Sequence, residues 1–177
     1  MTWTNQDLIV IHGTIDEHAA AVAAAPDPSY GSATTDFGLG FYVTTKRKQA
    51  ASWANLKAGK AGSGVRATII EYAIDRDWLA SLETLGFVIS DPVTGYWDFV
   101  SHCRSGATFT TSSGARHADH KRTGSKNYYD AVFGPVSLWQ QKFIMAGCDQ
   151  ISFHGPSGTR LALNHIGTYH GSPTFPQ

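Results

Sequence analysis

The sequence predicts an α+β fold. Segments of helical character cluster early, strands dominate late, and no regular strand-helix alternation links them. The 177 residues fit one domain spanning 1–177. A hydrophobic content of 42% is enough for a core, and only 16% of residues are charged, which excludes a disordered chain.

The elements follow in order. Leu8-Ile-Val-Ile-His12 is a short β-branched run that reads as a buried strand. Thr14-Ile-Asp-Glu17 has the form of a capping box before an alanine-rich helix over about 15–25, which Pro26-Asp-Pro28 stops. Residues 26–39 are rich in Pro, Ser, Gly, Thr and Asp and read as a loop. Gly40 to Thr44 is a strand entered through Gly38 and Gly40. Thr45 is placed to cap a helix that carries Lys46 to Ala54 and ends near Gly59. Val65 to Ile74 alternates as a strand does, and short helices are expected around 75–83 and 94–104. Residues 105–127 show no periodicity and read as a long loop. Tyr129–Phe133 and Gln150–His154 are later strands, and 159–170 fits neither pattern clearly.

Fourteen Lys and Arg balance fourteen Asp and Glu, so the net charge is zero, which excludes a generally basic nucleic-acid binder. No apolar run approaches the ~18 residues of a membrane helix. The start, Met1 to Asp7, lacks the basic end and apolar stretch of a signal peptide. Two cysteines, Cys103 and Cys148, make neither a disulfide framework nor a zinc cluster, so a reduced cytoplasmic setting is expected. A specialised secretion route would leave no mark here.

Three stretches carry candidate chemistry. His12-Gly13-Thr14 closes a buried strand, where a histidine nitrogen can meet a ligand hydroxyl and glycine lets a ligand reach the backbone. Asp36-Phe-Gly-Leu-Gly-Phe-Tyr-Val-Thr44 leads into the helix of Trp53, eleven residues after Tyr42. Two rings at that spacing suit a planar aromatic ligand held by offset stacking, or two ordinary core aromatics. Cys148-Asp-Gln-Ile-Ser-Phe153 puts Asp149 and Gln150 at the opening of an apolar strand.

Taken together these stretches resemble the ADP-ribosyltransferase superfamily, on the His-Tyr-Glu branch shared by diphtheria-type toxins and poly(ADP-ribose) polymerases. More closely, the chain resembles a bacterial family of uncharacterised domains within that superfamily. The marks are His12-Gly13, Asp36 to Thr45, Gln49-Ala-Ala-Ser-Trp-Ala54, Trp97-Asp-Phe-Val100 with Arg104, Tyr129 to Pro135, and Asp149 to His154. They run in the expected order over about 12–154. The resemblance implies a split β-sheet core flanked by short helices, and NAD as co-substrate. It implies that His12, Tyr42 and Gln150 form the catalytic set. His12 would bond the adenine-side ribose and the Gly13 backbone the nicotinamide carboxamide, with Thr14 also at the cofactor. Tyr42 and Trp53 would sandwich the nicotinamide ring. Gln150 falls where the branch carries its catalytic glutamate, and Ala50 where the polymerases tend to carry a serine. An amide at 150 accepts a hydrogen bond but neither balances a cation nor takes a proton well, so single transfer or NAD hydrolysis is expected rather than chain growth. Strand alternation turns Asp149 away from Gln150.

Lys46-Arg-Lys48 opens a helix, where cations oppose the macrodipole, and this hints at an anionic neighbour. Over 104–126, Arg104, Arg116, Lys121, Arg122 and Lys126 stand against the single carboxylate of Asp119. Such a cluster suits nucleic-acid phosphates or an acidic partner such as an immunity protein or antitoxin. His117-Ala-Asp-His120 is too sparse for a metal centre, and none is expected. The expected function is a mono-ADP-ribosyltransferase, a bacterial or phage toxin or effector acting on a macromolecular acceptor, protein or nucleic acid. The alternatives are an NAD glycohydrolase and a catalytically silent nucleotide-binding or interaction module.

Overall fold

The computed structural model describes residues 5–32, 34–88, 94–105, 129–156 and 158–176. Helices and two sheets give an α+β fold. The chain divides into two compact units interleaved in sequence. The first holds Met1–Pro26, Val43–Ser81 and Arg160–Gln177, and the second holds Asp27–Tyr42 and Leu82–Thr159.

The first unit is a three-stranded antiparallel sheet in the order β1-β3-β7, where β1 is Leu8–Ile15, β3 Ala67–Ile74 and β7 Leu163–His170. The helices are α1 (Asp16–Ala24), α2 (Arg47–Ala61) and α3 (Arg76–Ser81). The alanines of α2 explain its packing. Ala50, Ala51, Ala54 and Ala58 are buried against Ile11, Ile15, Ala67 and Ile69. Small side chains let the helix backbone settle onto the strands, and Gly13 completes the fit. A Cβ there would lie 3.2 Å from the Ala54 nitrogen and closer still to the Ala50 oxygen. The odd-numbered residues of β1 and β3 therefore face α2. On the other face, the Tyr72 hydroxyl donates to the Val22 carbonyl in α1 at 2.7 Å.

One expected cap does not form. β1 runs through Thr14 to Ile15, so Thr14 is strand, and Ile15 starts α1 with no side-chain cap. The carboxylate of Asp16 instead accepts from the Arg66 backbone and guanidinium, at 3.2 and 3.0 Å. This arginine holds the Asp16 carboxyl below its ordinary range. At the start of α2 the Thr44 hydroxyl accepts from the Lys46 N–H at 3.0 Å. The Lys46-Arg-Lys48 run also has a mundane anion: Arg47 pairs with Glu71 of β3 and lies over the Tyr169 ring. The unassigned stretch 159–170 contains β7.

The second unit is a four-stranded sheet in the order β2-β6-β5-β4. β2 is Phe41–Val43, β4 Thr84–Gly86, β5 Ala131–Leu138 and β6 Phe143–Phe153. β4 runs parallel to β5, and β6 antiparallel to it. The remaining helix, α4, is Thr94–Arg104. Its Tyr96, Phe99, Val100 and Cys103 bury against Phe37, Leu85, Phe87, Tyr129 and Val132. This aromatic cluster is the core of the unit. The basic residues beyond Arg104, from Arg116 to Lys126, and His117 and His120 lie outside the described residues. Among the described residues, no helix is long and apolar enough to cross a membrane.

Candidate functional site

His12, Gly13, Thr14 and Trp53 belong to the first unit, and Tyr42 and Gln150 to the second. In the first unit the critical element is the outer edge of β1. Ile11 exchanges both backbone bonds with Thr44, at 2.8 and 2.9 Å. In an antiparallel ladder such edge-facing residues alternate with those bonded to the partner strand. Gly13, two residues on, therefore points its peptide groups off the sheet, away from β3. Its carbonyl accepts from the Lys57 ammonium at 2.8 Å. Lys57 lies one helical turn after Trp53, so the two side chains share a flank of α2. The Trp53 ring is 53% exposed, unusual for so large an apolar group. Burial lowers the Lys57 pKa to about 8.

Alternation places the half-buried His12 on the face of β1 opposite α2, opposite Ile70 in the register. Thr14 shares that face and is buried. Gly13 and Trp53 thus lie on the α2 side, and His12 and Thr14 on the other. Ala50, buried under Gly13, is part of the close helix-strand fit.

In the second unit the two glycines before β2 have separate reasons. Gly38 has φ +79°, a left-handed turn conformation that favours glycine. Gly40 has no positive φ, but it has no room for a side chain: a Cβ would sit 2.8 Å from the Phe153 carbonyl and 2.9 Å from His154 Nδ1. The close backbone approach expected from these glycines is thus made by Gly40 to the end of β6. His154 Nδ1 donates to the Leu39 carbonyl at 2.8 Å, and burial lowers its pKa to about 4, so the ring is neutral. The Tyr42 hydroxyl accepts from the Phe37 N–H at 3.0 Å and donates to the Gly38 carbonyl at 2.8 Å. Burial pushes this phenol far up in pKa. Phe37 stacks against the Tyr42 ring, with centroids 6.4 Å apart.

Gln150 is not at a strand opening. It is the eighth of the eleven residues of β6, opposite Gly134 of β5. Sequence reading missed the first half of the strand because Phe143-Ile-Met-Ala-Gly147 carries no alternation. The register is regular over Asp149–Phe153, so Asp149 falls on the face away from Gln150. The Gln150 amide nitrogen donates to Asp36 Oδ2 and to the Pro135 carbonyl, both at 2.8 Å. Both partners can only accept, so the amide orientation is forced, with Oε1 turned from them.

Asp36 is the hub. It is 3% exposed and collects five donors. Arg104 Nε and Nη2 reach Oδ1 at 2.7 and 2.5 Å, the Ser137 hydroxyl reaches Oδ1 at 2.7 Å, and the Ser137 N–H reaches Oδ2 at 2.8 Å; Gln150 supplies the fifth. A buried carboxylate is tolerated only when paired and bonded in this way. Nothing local signals the network, since Asp36 and Arg104 lie 68 positions apart. Lys57 was also missed, since a lysine on a helix is an ordinary surface residue. Cys103, close to Asp36 in the core, has its thiol pushed up to about 12 by burial and is inert.

The fold and these two clusters define an α+β protein with a strand edge at Gly13 in one unit and a buried carboxylate-amide network in the other. The chain belongs to the family described as "Protein of unknown function (DUF3990)", whose model matches residues 8–158. No match was found among curated proteins or among solved structures.

Proposed function

We propose that this chain is an NAD-dependent mono-ADP-ribosyltransferase that breaks the nicotinamide-ribose bond and transfers ADP-ribose to a macromolecular acceptor. The observation that carries the reading is the Gly13 edge. A peptide group that faces off the sheet, next to a helix holding an exposed indole, offers a planar carboxamide both hydrogen bonds and a stacking face. The order of the sequence marks supports it as well. In this reading the roles are those the resemblance implies: the Gly13 edge binds the carboxamide, Trp53 and Tyr42 hold the ring, and His12 bonds the adenine-side ribose. Gln150 Oε1 accepts from the 2′-hydroxyl of the other ribose. The glycosidic bond then breaks through an oxocarbenium-like state, neutral nicotinamide leaves with the bonding pair, and a nucleophile of the acceptor bonds the anomeric carbon and loses its proton to solvent.

A toxin or effector acting in a cytoplasm, held in check by an acidic antitoxin, fits the cationic run beyond Arg104. Incubation with NAD labelled in the adenylate, with and without cell lysate, tests the reading. Transfer predicts label on a macromolecule, and nuclease or protease digestion then names its class. Free ADP-ribose alone would make the chain a glycohydrolase, and unchanged NAD would make it a silent module.

A further inference from the structure

We propose that Asp36 is a positioning residue for Gln150: it fixes the amide so that only the carbonyl oxygen faces a ligand. This deepens the reading above and rests on it for the role of Gln150. A free glutamine side chain has two amide orientations of nearly equal shape, one presenting an acceptor and the other a donor pair. Here one amide hydrogen meets a carboxylate and the other a backbone carbonyl. The flipped orientation would aim Oε1 at both, acceptor against acceptor. Asp36 cannot yield by rotating, since Arg104 and both Ser137 donors hold it. Pro135, in the irregular part of β5, contributes its carbonyl to the side chain of Gln150. The consequence is an acceptor of fixed direction without a charge of its own, backed by a charge neutralised by Arg104.

The network also says why position 150 holds an amide in this chain. A carboxylate there would face Asp36 Oδ2 and the Pro135 carbonyl, with no hydrogen to give either. The amide at 150 and the carboxylate at 36 are one device, read from two segments 114 residues apart.

Two measurements on the full chain test the proposal. The first needs no activity. In 15N-labelled protein, the Gln150 side-chain amide, identified by its loss in Gln150→Glu, should exchange its hydrogens at least tenfold more slowly than exposed glutamines. The second is steady-state nicotinamide release by Asp36→Asn. The kcat should drop about 100-fold, as small misplacements of reacting groups do, while KM for NAD moves less than threefold. Gln150 exchanging as fast as an exposed glutamine, or a folded Asp36→Asn variant with kcat within twofold of the parent, would overturn the proposal. If Asp36→Asn does not fold, the exchange measurement decides. Parent protein that shows the slow exchange but never releases nicotinamide refutes the proposed activity and leaves the fixed amide standing.

Discussion

Lys57→Met should remove a pH dependence of stability that the parent protein has. The Lys57 ammonium sits half-buried on the Gly13 carbonyl, and burial lowers its pKa from 10.5 to about 8. The unfolded chain therefore binds more protons than the folded one between pH 8 and 10.5. Stability rises with pH across that window and is lowest below pH 8, where the buried amine is charged in both states. Integrated from pH 7.5 to 9.5, the shift gives the parent a gain of about 2 kcal/mol. Methionine keeps most of the volume and does not titrate. Tyr72 and Tyr96, whose phenols burial pushes up, titrate alike in both proteins and cancel in the difference. Urea unfolding of parent and variant at pH 7.5, 8.5 and 9.5 gives the quantity directly. The stability difference should move by about 2 kcal/mol in favour of the parent over this range. A difference constant to within ~0.5 kcal/mol would show that Lys57 is hydrated, and its contact with the Gly13 edge would be lost from the account.

Other substitutions bear on the remaining groups. Trp53→Ala should leave the fold intact, since the ring is half exposed, and weaken NAD binding by about 1–3 kcal/mol, the worth of one stacking platform. Titration of intrinsic fluorescence checks this, with quenching in the parent and unchanged affinity in the variant as the contrary result. His12→Ala should nearly abolish nicotinamide release with a melting temperature within a few degrees of the parent; an unfolded variant would make His12 structural. Gln150→Glu should lose activity and stability together, because a second carboxylate meets Asp36, and adding Asp36→Asn should recover part of both. A fully active Gln150→Glu protein would contradict the network. Gly40→Ala should destabilise by ~1–3 kcal/mol in a thermal melt, since its Cβ meets β6 backbone and His154.

What the sequence made legible follows from where its signals are local. β1, β3 and α2 carry β-branched or alanine-rich runs whose periods name them, and the structure has all three. The span of α4 matches the short helix expected over 94–104. The α1 cap failed because Thr14 belongs to a strand that runs three residues beyond His12, and no local pattern encodes where pairing with β3 stops. β6 was half seen because its first residues are an exposed ribbon without alternation. β4 was missed because three residues are too few to show a period. The Asp36 network was hidden for a different reason: its five donors come from Arg104, Ser137 and Gln150, which only the fold assembles.

NAD cleavage by this chain is measured most directly as free nicotinamide released by the purified protein, followed chromatographically beside His12→Ala. The parent should release nicotinamide, more of it when lysate supplies an acceptor, and the variant should release it near background. Equal background release by both, from parent protein shown to be folded, would contradict NAD cleavage.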